Sequence, residues 1–412
     1  MGARGDTPPQ LRIGFLVSGW WPEPGGVQRH TAELAQALAC RGHRVSALAF
    51  GARGAEPEES LVGGTWLRLL PDDWRRLRGA GDLRGRAQLS REVAAWCVEQ
   101  GLDLLHVHDT GGFGTGWIPS QARRLPVFWT WHDYGALCPR GQLWHVDGRA
   151  CERAEPKECA GCVARTWTAV AADDDLETLL AARLEDGRRA AGACARVFAP
   201  SEAARAVFGR HGHLQQGVEW AENATAVDAV PVPRRTPDPE RLVVGVLGSL
   251  QPSKGVLQLA RWIAELGRPF ELELHGPGVA YHGDDDTLRG LRALVAEGAP
   301  LRLAGAFAPE ELDGVLGRLD LVAVPSLWEE VHGLAAREAR ARGRAVFAAR
   351  TGGLDDPGFH LLPPGDGPAW KRDLVRFAGD LAWRTELEGR PTRLREVDAL
   401  ADQLLAAYSE AL

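Results

Sequence analysis

The sequence has few of the features that mark membrane, secreted and nucleic-acid-binding proteins. No stretch reaches the roughly 18 consecutive apolar residues that a membrane-spanning helix needs. The polar start of the chain lacks the apolar run of a signal peptide, so export is not expected. Seven cysteines in 412 residues are too few for a disulfide scaffold. The net charge of −7, from 48 basic and 55 acidic residues, disfavours nucleic acid as a partner.

The composition is that of a globular protein with more than one domain. Hydrophobic residues make up 45% and charged residues 25% of the chain, which excludes intrinsic disorder. At roughly 150 residues per domain, the length fits two large domains. The first half predicts a helix over residues 27–40 and strands over residues 11–18, 45–50, 104–108, 127–131 and 197–199.

A proline-rich stretch then separates this half from a second one with the same alternation. The second half predicts helices over residues 256–266 and 397–412, and strands over residues 242–247, 270–275, 301–304, 320–324 and 345–348. The fold class is therefore α/β, with two doubly wound, Rossmann-like domains facing a central cleft, where ligands of such sheets bind. The predicted division is a disordered tail (1–10), a first domain (11–220) with a cysteine-rich insert (138–162), a linker (221–241), a second domain (242–396) and a last helix (397–412).

Two glycine-containing loops join a strand to a helix. Gly25 and Gly26 precede the first helix, where glycine lets the backbone approach an anion beside free N–H groups. The loop 248–255 adds Lys254, whose ammonium can neutralise a diphosphate. It is not a Walker loop, because the spacing G-x4-G-K-[ST] is missing. The plain alternatives are a strand-to-helix turn and a solvated lysine.

The segment 325–338 predicts a helix start with acidic residues. N–H groups near Gly333 and Leu334 can face a ligand, and Glu338, about one turn into the helix, can accept hydrogen bonds from a ribose diol. Glu330 precedes them. The alternative is a helix whose acidic residues merely complement its dipole.

Histidines end two predicted strands of the first domain. His106 and His108 close one strand, and His132 follows the other. Because both strand ends belong to one sheet edge, these side chains are expected at the same cleft, where they can donate to hydroxyls or phosphates.

Four cysteines cluster in one loop of the first domain. A Cys-x2-Cys pair on a tight turn suits the tetrahedral geometry of zinc. A structural zinc site is expected, with an iron–sulfur cluster, free thiols or disulfides as alternatives. The ligands would be Cys138, Cys151, Cys159 and Cys162.

In this order, the motifs resemble the retaining glycosyltransferases of family 4, which have the GT-B fold. The resemblance covers residues 11–412. Its markers are the segments 25–30 (GGVQRH), 41–45 (RGHRV), 106–108 (HVH), 131–140 (WHDYGALCPR), 199–201 (APS), 217–219 (GVE), 248–255 (GSLQPSKG), 274–278 (LHGPG), 325–338, 352–353 (GG) and 363–366 (PPGD).

The resemblance implies transfer of a sugar from a nucleotide-diphosphate sugar, with UDP or GDP as the nucleotide, to an acceptor hydroxyl. Lys254 would contact the diphosphate and Glu338 the ribose. Glu330 would face the donor sugar, near the backbone of His332, Gly333 and Leu334, and His132 would approach it from the first domain. The Gly25–Gly26 loop would approach the diphosphate, and the last helix would cross back to the first domain. Only some members of the family have a four-cysteine insert.

The sequence departs from the family pattern at Ser249, where an arginine often contacts the diphosphate. A hydroxyl supplies one hydrogen bond in place of a charged fork, which weakens donor binding unless Arg29, Arg337 or Arg350 compensates. With Lys254 and helix N-termini stabilising the leaving diphosphate, transfer needs no metal cofactor.

The expected function is thus a cytoplasmic hexosyltransferase of polysaccharide, lipid-linked or secondary-metabolite glycan synthesis. Two alternatives stay open: a nucleotide-sugar-binding scaffold whose activity has decayed, and a nucleotide-sugar epimerase or hydrolase of the same fold. The arginine-rich segment 74–91 is a candidate for contact with the inner face of a membrane, but a solvated arginine-rich surface is the preferred interpretation.

Overall fold

The computed structural model describes most of the chain. The described residues are 10–23, 25–51, 58–71, 87–166, 175–212, 217–224, 230–233, 236, 238, 240–278, 280–392 and 394–412. The predicted tail lies outside them except for Gln10, and so do residues 74–86 of the arginine-rich segment. Within the described ranges, no helix combines the length and the apolar character needed to cross a bilayer.

Short apolar strands of the first domain form one sheet of eight strands. Their order is β3-β4-β2-β1-β5-β6-β7-β8, and all pairs are parallel except β3 with β4. The strands are Arg12–Leu16 (β1), Arg44–Phe50 (β2), Glu58–Val62 (β3), Thr65–Leu70 (β4), Leu104–Val107 (β5), Val127–Thr130 (β6), Arg196–Ala199 (β7) and Val218–Trp220 (β8).

Helices cover this sheet and bury its side chains. The central strands are buried on both faces, as parallel sheets require. The helices are Gly26–Cys40 (α1), Ala87–Glu99 (α2), Ile118–Gln121 (α3), Pro156–Thr166 (α4), Leu176–Ala193 (α5) and Glu202–Arg210 (α6).

The second domain has a six-stranded, parallel sheet in the order β11-β10-β9-β12-β13-β14. Its strands are Leu242–Leu247 (β9), Phe270–His275 (β10), Leu301–Gly305 (β11), Leu321–Val324 (β12), Ala345–Ala349 (β13) and His360–Leu362 (β14). Its helices are Val256–Leu266 (α7), Asp286–Ala296 (α8), Leu312–Arg318 (α9), Leu334–Ala341 (α10), Gly367–Gly379 (α11) and Leu381–Gly389 (α12), with short 3-10 turns at Pro252–Lys254, Pro309–Glu311 and Gly352–Leu354.

The predicted doubly wound α/β class is confirmed by these two sheets. In each sheet the strand order reverses at the first strand, β1 or β9, so the loops that follow these two strands border a crevice. Both glycine-containing loops singled out in the sequence follow these strands. The topology therefore places them at the natural ligand position of each domain.

The last helix, Val397–Ala411 (α13), lies on the first domain. Its apolar residues Leu400, Leu404 and Tyr408 share a core with β1 and α1. At the surface, Arg41 of α1 pairs with both Asp398 and Asp402, at 2.6 and 2.9 Å. The end of the chain thus ties the second domain back onto the first.

Candidate functional site

A cavity of about 830 Å³ lies between the two domains. The first domain lines it with the start of α1 and the loop before it, and the second domain with the loops after β9, β10, β11 and β12. Most of the site residues expected from the sequence meet there. Those lining the cavity are Gly25, Gly26, Ser249, Lys254, Glu330, Gly333, Leu334 and Glu338.

Two helices begin at this cavity with backbone groups free for a ligand. No side chain caps α1, which starts after Gly25. No side chain caps α10 either, and its N-cap Gly333 has a left-handed backbone with φ of 81°. A Cβ at Gly333 would also lie 2.4 Å from Leu354. Two helix starts beside one cavity create positive potential and N–H donors, which suits a phosphate group.

Lys254 enters the cavity from the end of the short 3-10 turn. Its Nζ lies 2.5 Å from Glu330 Oε1, which also accepts a hydrogen bond from Ser326 at 2.5 Å. The ammonium stands 5.2 Å from the centre of the Trp328 ring. Glycine is required at position 255, because a Cβ there would lie 2.0 Å from the carbonyl oxygen of Pro325. The loop thus holds a cation against a buried carboxylate at the cavity wall.

Arg29 and Glu338 join the domains across the same cavity. Arg29 Nη1 lies 2.9 Å from Glu338 Oε1, and Arg29 Nε lies 2.8 Å from Glu33. Burial raises the pKa of Glu338, and the neighbouring Arg29 opposes that rise. The guanidinium brings a second positive charge to the cavity, beside that of Lys254, where the loop has the neutral Ser249 in place of the family arginine.

The other two arginines named in the sequence analysis do not line the cavity. The guanidinium of Arg337 donates to the carbonyl oxygens of His332 and Gly353. Arg350 is exposed at the end of β13. Of the three candidates for replacing the missing family arginine, the structure brings only Arg29 to the site.

His332 is buried and His132 is partly exposed, and both lie outside the cavity lining. His132 Nε2 is 3.1 Å from His108 Nδ1, and His30 Nδ1 is 3.2 Å from the carbonyl oxygen of Ala224. Burial holds the pKa of all three rings below the usual range. His106 is directed away from the cleft, toward Tyr408 and Thr130. The strand-end histidines therefore do not line the cavity: His108 and His132 lie together beside it, and His106 is turned away.

One set of three nitrogens in the described part of the chain could hold a metal ion. Ligand atoms of His30, His108 and His132 all lie within 4.8 Å of one another. These rings are neutral and tightly packed, and His108 stacks on His106 at 4.2 Å. Neutral imidazole is the form that binds a metal, so the three rings have the chemistry as well as the spacing of a ligand set.

Glu222 is a site-adjacent residue that the sequence analysis missed. It follows β8, in the stretch interpreted as linker. Its carboxylate lies 3.3 Å from His332 Nε2 and 3.5 Å from Arg337 Nε. Desolvation lowers the pKa of His332 to about 4. The sequence carried no signal beyond an acidic residue, because the partners of Glu222 lie more than 100 positions further along the chain.

The cysteine-rich insert borders the second domain. Gln142 donates to Gln251 at 2.8 Å and accepts from Ser253 at 2.6 Å, so it holds the turn that ends in Lys254. The Tyr281 hydroxyl donates to the carbonyl oxygen of Arg140, whose guanidinium lies 4.9 Å from that ring. The insert therefore contacts the cavity loop directly.

The four cysteines of the insert lie close enough to influence one another. Burial, with the neighbouring sulfurs, raises the pKa of Cys151 and of Cys159 to about 12. Cys138 and Cys162 are buried, and Arg140 donates to the Cys162 sulfur at 3.7 Å. Among the described residues, three ligand atoms lie within 4.8 Å of one another in the histidine set, and no three of the cysteine sulfurs do. The sulfurs are therefore farther apart than in a closed zinc site.

Two family models match the chain, one for each domain. Residues 24–218 match "Glycosyltransferase Family 4", and residues 241–380 match "Glycosyl transferases group 1". A phosphatidyl-myo-inositol mannosyltransferase of Mycobacterium tuberculosis is 25% identical over 352 residues, covering 82% of this chain and 78% of the relative. A D-inositol 3-phosphate glycosyltransferase of Corynebacterium jeikeium is 28% identical, covering 71% and 68%.

Solved structures share the fold across nearly the whole chain. A sucrose-phosphate synthase from Thermosynechococcus elongatus superposes with a TM-score of 0.74 at 19% identity, covering 97% of this chain and 99% of that one. HepE of Anabaena, in complex with UDP-glucose, superposes with a TM-score of 0.64 at 17% identity, covering 98% of both chains. These similarities establish the two-domain arrangement around a cleft.

Proposed function

Since the chain belongs to the glycosyltransferases with the GT-B fold, we propose that it moves a hexose from a nucleoside diphosphate sugar to an acceptor hydroxyl, with retention of configuration. One observation carries the proposal. Lys254, two uncapped helix starts and the Glu338 carboxylate surround a single cavity between the domains. This set matches the parts of a nucleoside diphosphate: cations and N–H groups for the phosphates, and a carboxylate for the ribose diol.

Lys254 and Arg29 serve the leaving group in this proposal. When the bond between the sugar carbon and the phosphate oxygen breaks, that oxygen gains negative charge. The Lys254 ammonium, released from Glu330 by the incoming phosphate, would neutralise it together with the starts of α1 and α10. Such fixed positive groups allow transfer without a divalent cation, which turnover in the presence of a chelator would test.

Retention follows if the acceptor attacks from the face that the diphosphate leaves. The acceptor oxygen forms its bond to the sugar carbon as the phosphate oxygen departs, and the acceptor proton passes to that phosphate oxygen. His132, neutral because of burial, would contribute a fixed hydrogen-bonding surface behind the donor sugar and no charge. Glu330 would face the sugar hydroxyls once Lys254 has turned to the phosphate.

A donor screen by thermal unfolding tests the proposal first. The full chain is heated with UDP, GDP, ADP, dTDP and their common sugar conjugates. A ligand at 100 times its Kd adds roughly 2.7 kcal/mol to the free energy of unfolding, a clear shift. UDP is a natural first choice, since HepE of Anabaena was solved with UDP-glucose. A shift with none of these nucleotides would favour the decayed scaffold.

Substitutions at the cavity then assign the chemistry. Lys254→Ala and Glu338→Ala should each lower turnover strongly while the chain remains folded. Lys371→Ala is the matched control, because Lys371 pairs with Glu265 on the protein surface. Full activity in both cavity variants would contradict the assignment. Product release that needs no acceptor would instead favour an epimerase or hydrolase.

We also propose, from the Cys-x2-Cys spacing, that Cys138, Cys151, Cys159 and Cys162 bind a structural zinc ion. The wide placement of the sulfurs argues that the loop would have to tighten around the ion. Elemental analysis of chain purified without added metal should find about one zinc per chain. A chain with neither zinc nor iron would refute the site.

A further inference from the structure

A second cavity, of about 460 Å³, lies in the first domain beside the cysteine-rich insert. Three segments wall it: residues 153–156 of the insert, the middle of α5, and the end of α6 with the residues after it. Its charged lining consists of Arg153, Arg188, Arg210 and the carboxylate of Glu155. None of these residues belongs to the donor cavity.

Three guanidinium groups converge on this basic pocket. The pKa of His211, which also lines it, is lowered by burial and then by the charges of Arg210, Arg153 and Arg188. Three separate segments thus direct positive charge to one place. The lining itself holds one carboxylate, and Arg188 and Arg210 also contact Glu185 and Glu329 beside it.

The arginines of the pocket keep hydrogen-bonding capacity for a ligand. Arg153 is exposed, and among the described residues it makes no ion pair. Arg188 has only a long contact of 3.4 Å with the exposed Glu185. A guanidinium has five N–H donors in a fork that matches phosphate oxygens, so each arginine can serve an anion and its present partner together.

The basic pocket also borders the cleft. Arg210 Nη2 lies 2.9 and 3.0 Å from the two carboxylate oxygens of Glu329 in the second domain. The next residue, Glu330, pairs with Lys254 in the donor cavity. A molecule anchored in the pocket would therefore lie beside a contact between the domains, Arg210 with Glu329.

We propose that this basic pocket binds a phosphoryl group carried by the acceptor. The inference rests on the proposed transferase function and adds the chemical class of the acceptor, a phosphorylated polyol or lipid headgroup. In this proposal the cysteine-rich insert takes part in acceptor binding, because it supplies Arg153 and one wall of the pocket. The acceptor hydroxyl would be held by its phosphate at the edge of the cleft.

Binding of inorganic phosphate tests the pocket directly. The measurement is made by calorimetry on the full chain carrying Lys254→Ala, which removes the main cation of the donor cavity. Adding Arg153→Ala and Arg188→Ala should weaken phosphate binding at least about tenfold, since each is a charge-assisted contact. The control pair is Arg189→Ala with Arg205→Ala, exposed arginines of α5 and α6 that pair with Asp186 and Glu202.

Equal phosphate binding in the pocket and control variants, or no binding by the parent, would overturn the proposal. Failure of the transferase function has a different signature, namely no response to any nucleotide while phosphate still binds at the pocket. Vesicles of phosphatidylcholine with and without phosphatidylinositol separate the sources. If the protein binds vesicles that contain phosphatidylinositol, and Arg153→Ala with Arg188→Ala abolishes this binding, the ligand is a lipid headgroup. If phosphate binds in the pocket but the vesicles do not bind the protein, the ligand is a soluble phosphorylated acceptor.

Discussion

At the scale of single residues, the neutral Ser249 raises the question of what holds the donor phosphates beside Lys254. Arg29 is the arginine that lines the cavity, where it pairs with Glu338. We predict that Arg29→Ala weakens nucleoside diphosphate binding about tenfold or more, because a charge-assisted contact is lost and Glu338 is left buried without its partner. Calorimetric titration with the nucleotide identified in the donor screen would measure this.

Arg350→Ala is the control for that measurement, since its side chain is exposed and outside the cavity lining. It should bind the nucleotide like the parent chain. Equal losses in the two variants would mean that net charge, and not a contact from α1, governs binding. An unchanged affinity in Arg29→Ala would contradict the assigned role.

Site residues could be predicted from the sequence where neighbouring residues define the loop or helix start. Residues whose role depends on a contact with a distant segment could not. Gly25, Lys254 and Glu338 stand in loops or helix starts whose types could be predicted from nearby residues. The contacts Arg29–Glu338, Glu222–His332 and Gln142–Ser253 join segments far apart in the chain. No spacing rule reaches across two domains, so these contacts became visible only in the folded chain.

At the scale of elements, the last helix is fixed to the first sheet by a buried polar pair. Tyr408 OH lies 2.5 Å from His106 Nδ1, and both side chains are fully buried. We predict that Tyr408→Phe lowers the free energy of unfolding by about 1–3 kcal/mol, the usual cost of leaving a buried polar atom without its partner. Urea denaturation followed by tryptophan fluorescence would measure the loss.

Ser409→Ala on the same helix is the matched control. Its hydroxyl is exposed and bonds only within α13, so the change should stay within about 0.5 kcal/mol. A Tyr408→Phe variant as stable as this control would show that His106 finds another partner.

Most strands could be predicted because parallel strands buried on both faces are continuous apolar runs. The predicted strand 242–247 and helix 256–266 have the observed bounds. The hairpin of β3 and β4 was missed. Its outer strand, Glu58–Val62, is mostly exposed at the sheet edge and carries no clear apolar alternation. This edge hairpin is also the antiparallel exception to the expected parallel sheet.

At the scale of the whole molecule, buried histidines make stability depend on pH. Burial lowers the pKa of His106 to about 3 and of His332 to about 4, whereas an unfolded histidine titrates near 6.5. The folded chain therefore keeps these rings neutral, and their full contribution is present above about pH 6.5. Below that value the unfolded chain binds the protons first, so stability falls as the pH decreases toward 3–4.

Each such histidine should cost about 1.4 kcal/mol per pH unit in this window. Urea denaturation at pH 7.5 and at pH 5.5 would measure the combined loss, at values where most carboxylates remain charged. Because His106 and His332 both contribute, the free energy of unfolding should fall by more than a single buried histidine would cause. Equal stability at both values would mean that these rings are solvated.

The closed cleft depends on contacts between domains, and Gln142 makes one of them beside Lys254. It bonds Gln251 and Ser253 on the turn that ends in Lys254. We predict that Gln142→Ala lowers kcat/KM about thirtyfold, since two hydrogen bonds of about 1 kcal/mol each hold the lysine in place.

Tyr281→Phe is the control, because it removes another bond between the insert and the second domain but leaves the lysine turn intact. Steady-state kinetics of both variants with the identified donor decide the matter. A large loss in both would assign the effect to domain closure in general, whereas a loss confined to Gln142→Ala would show that the insert positions Lys254.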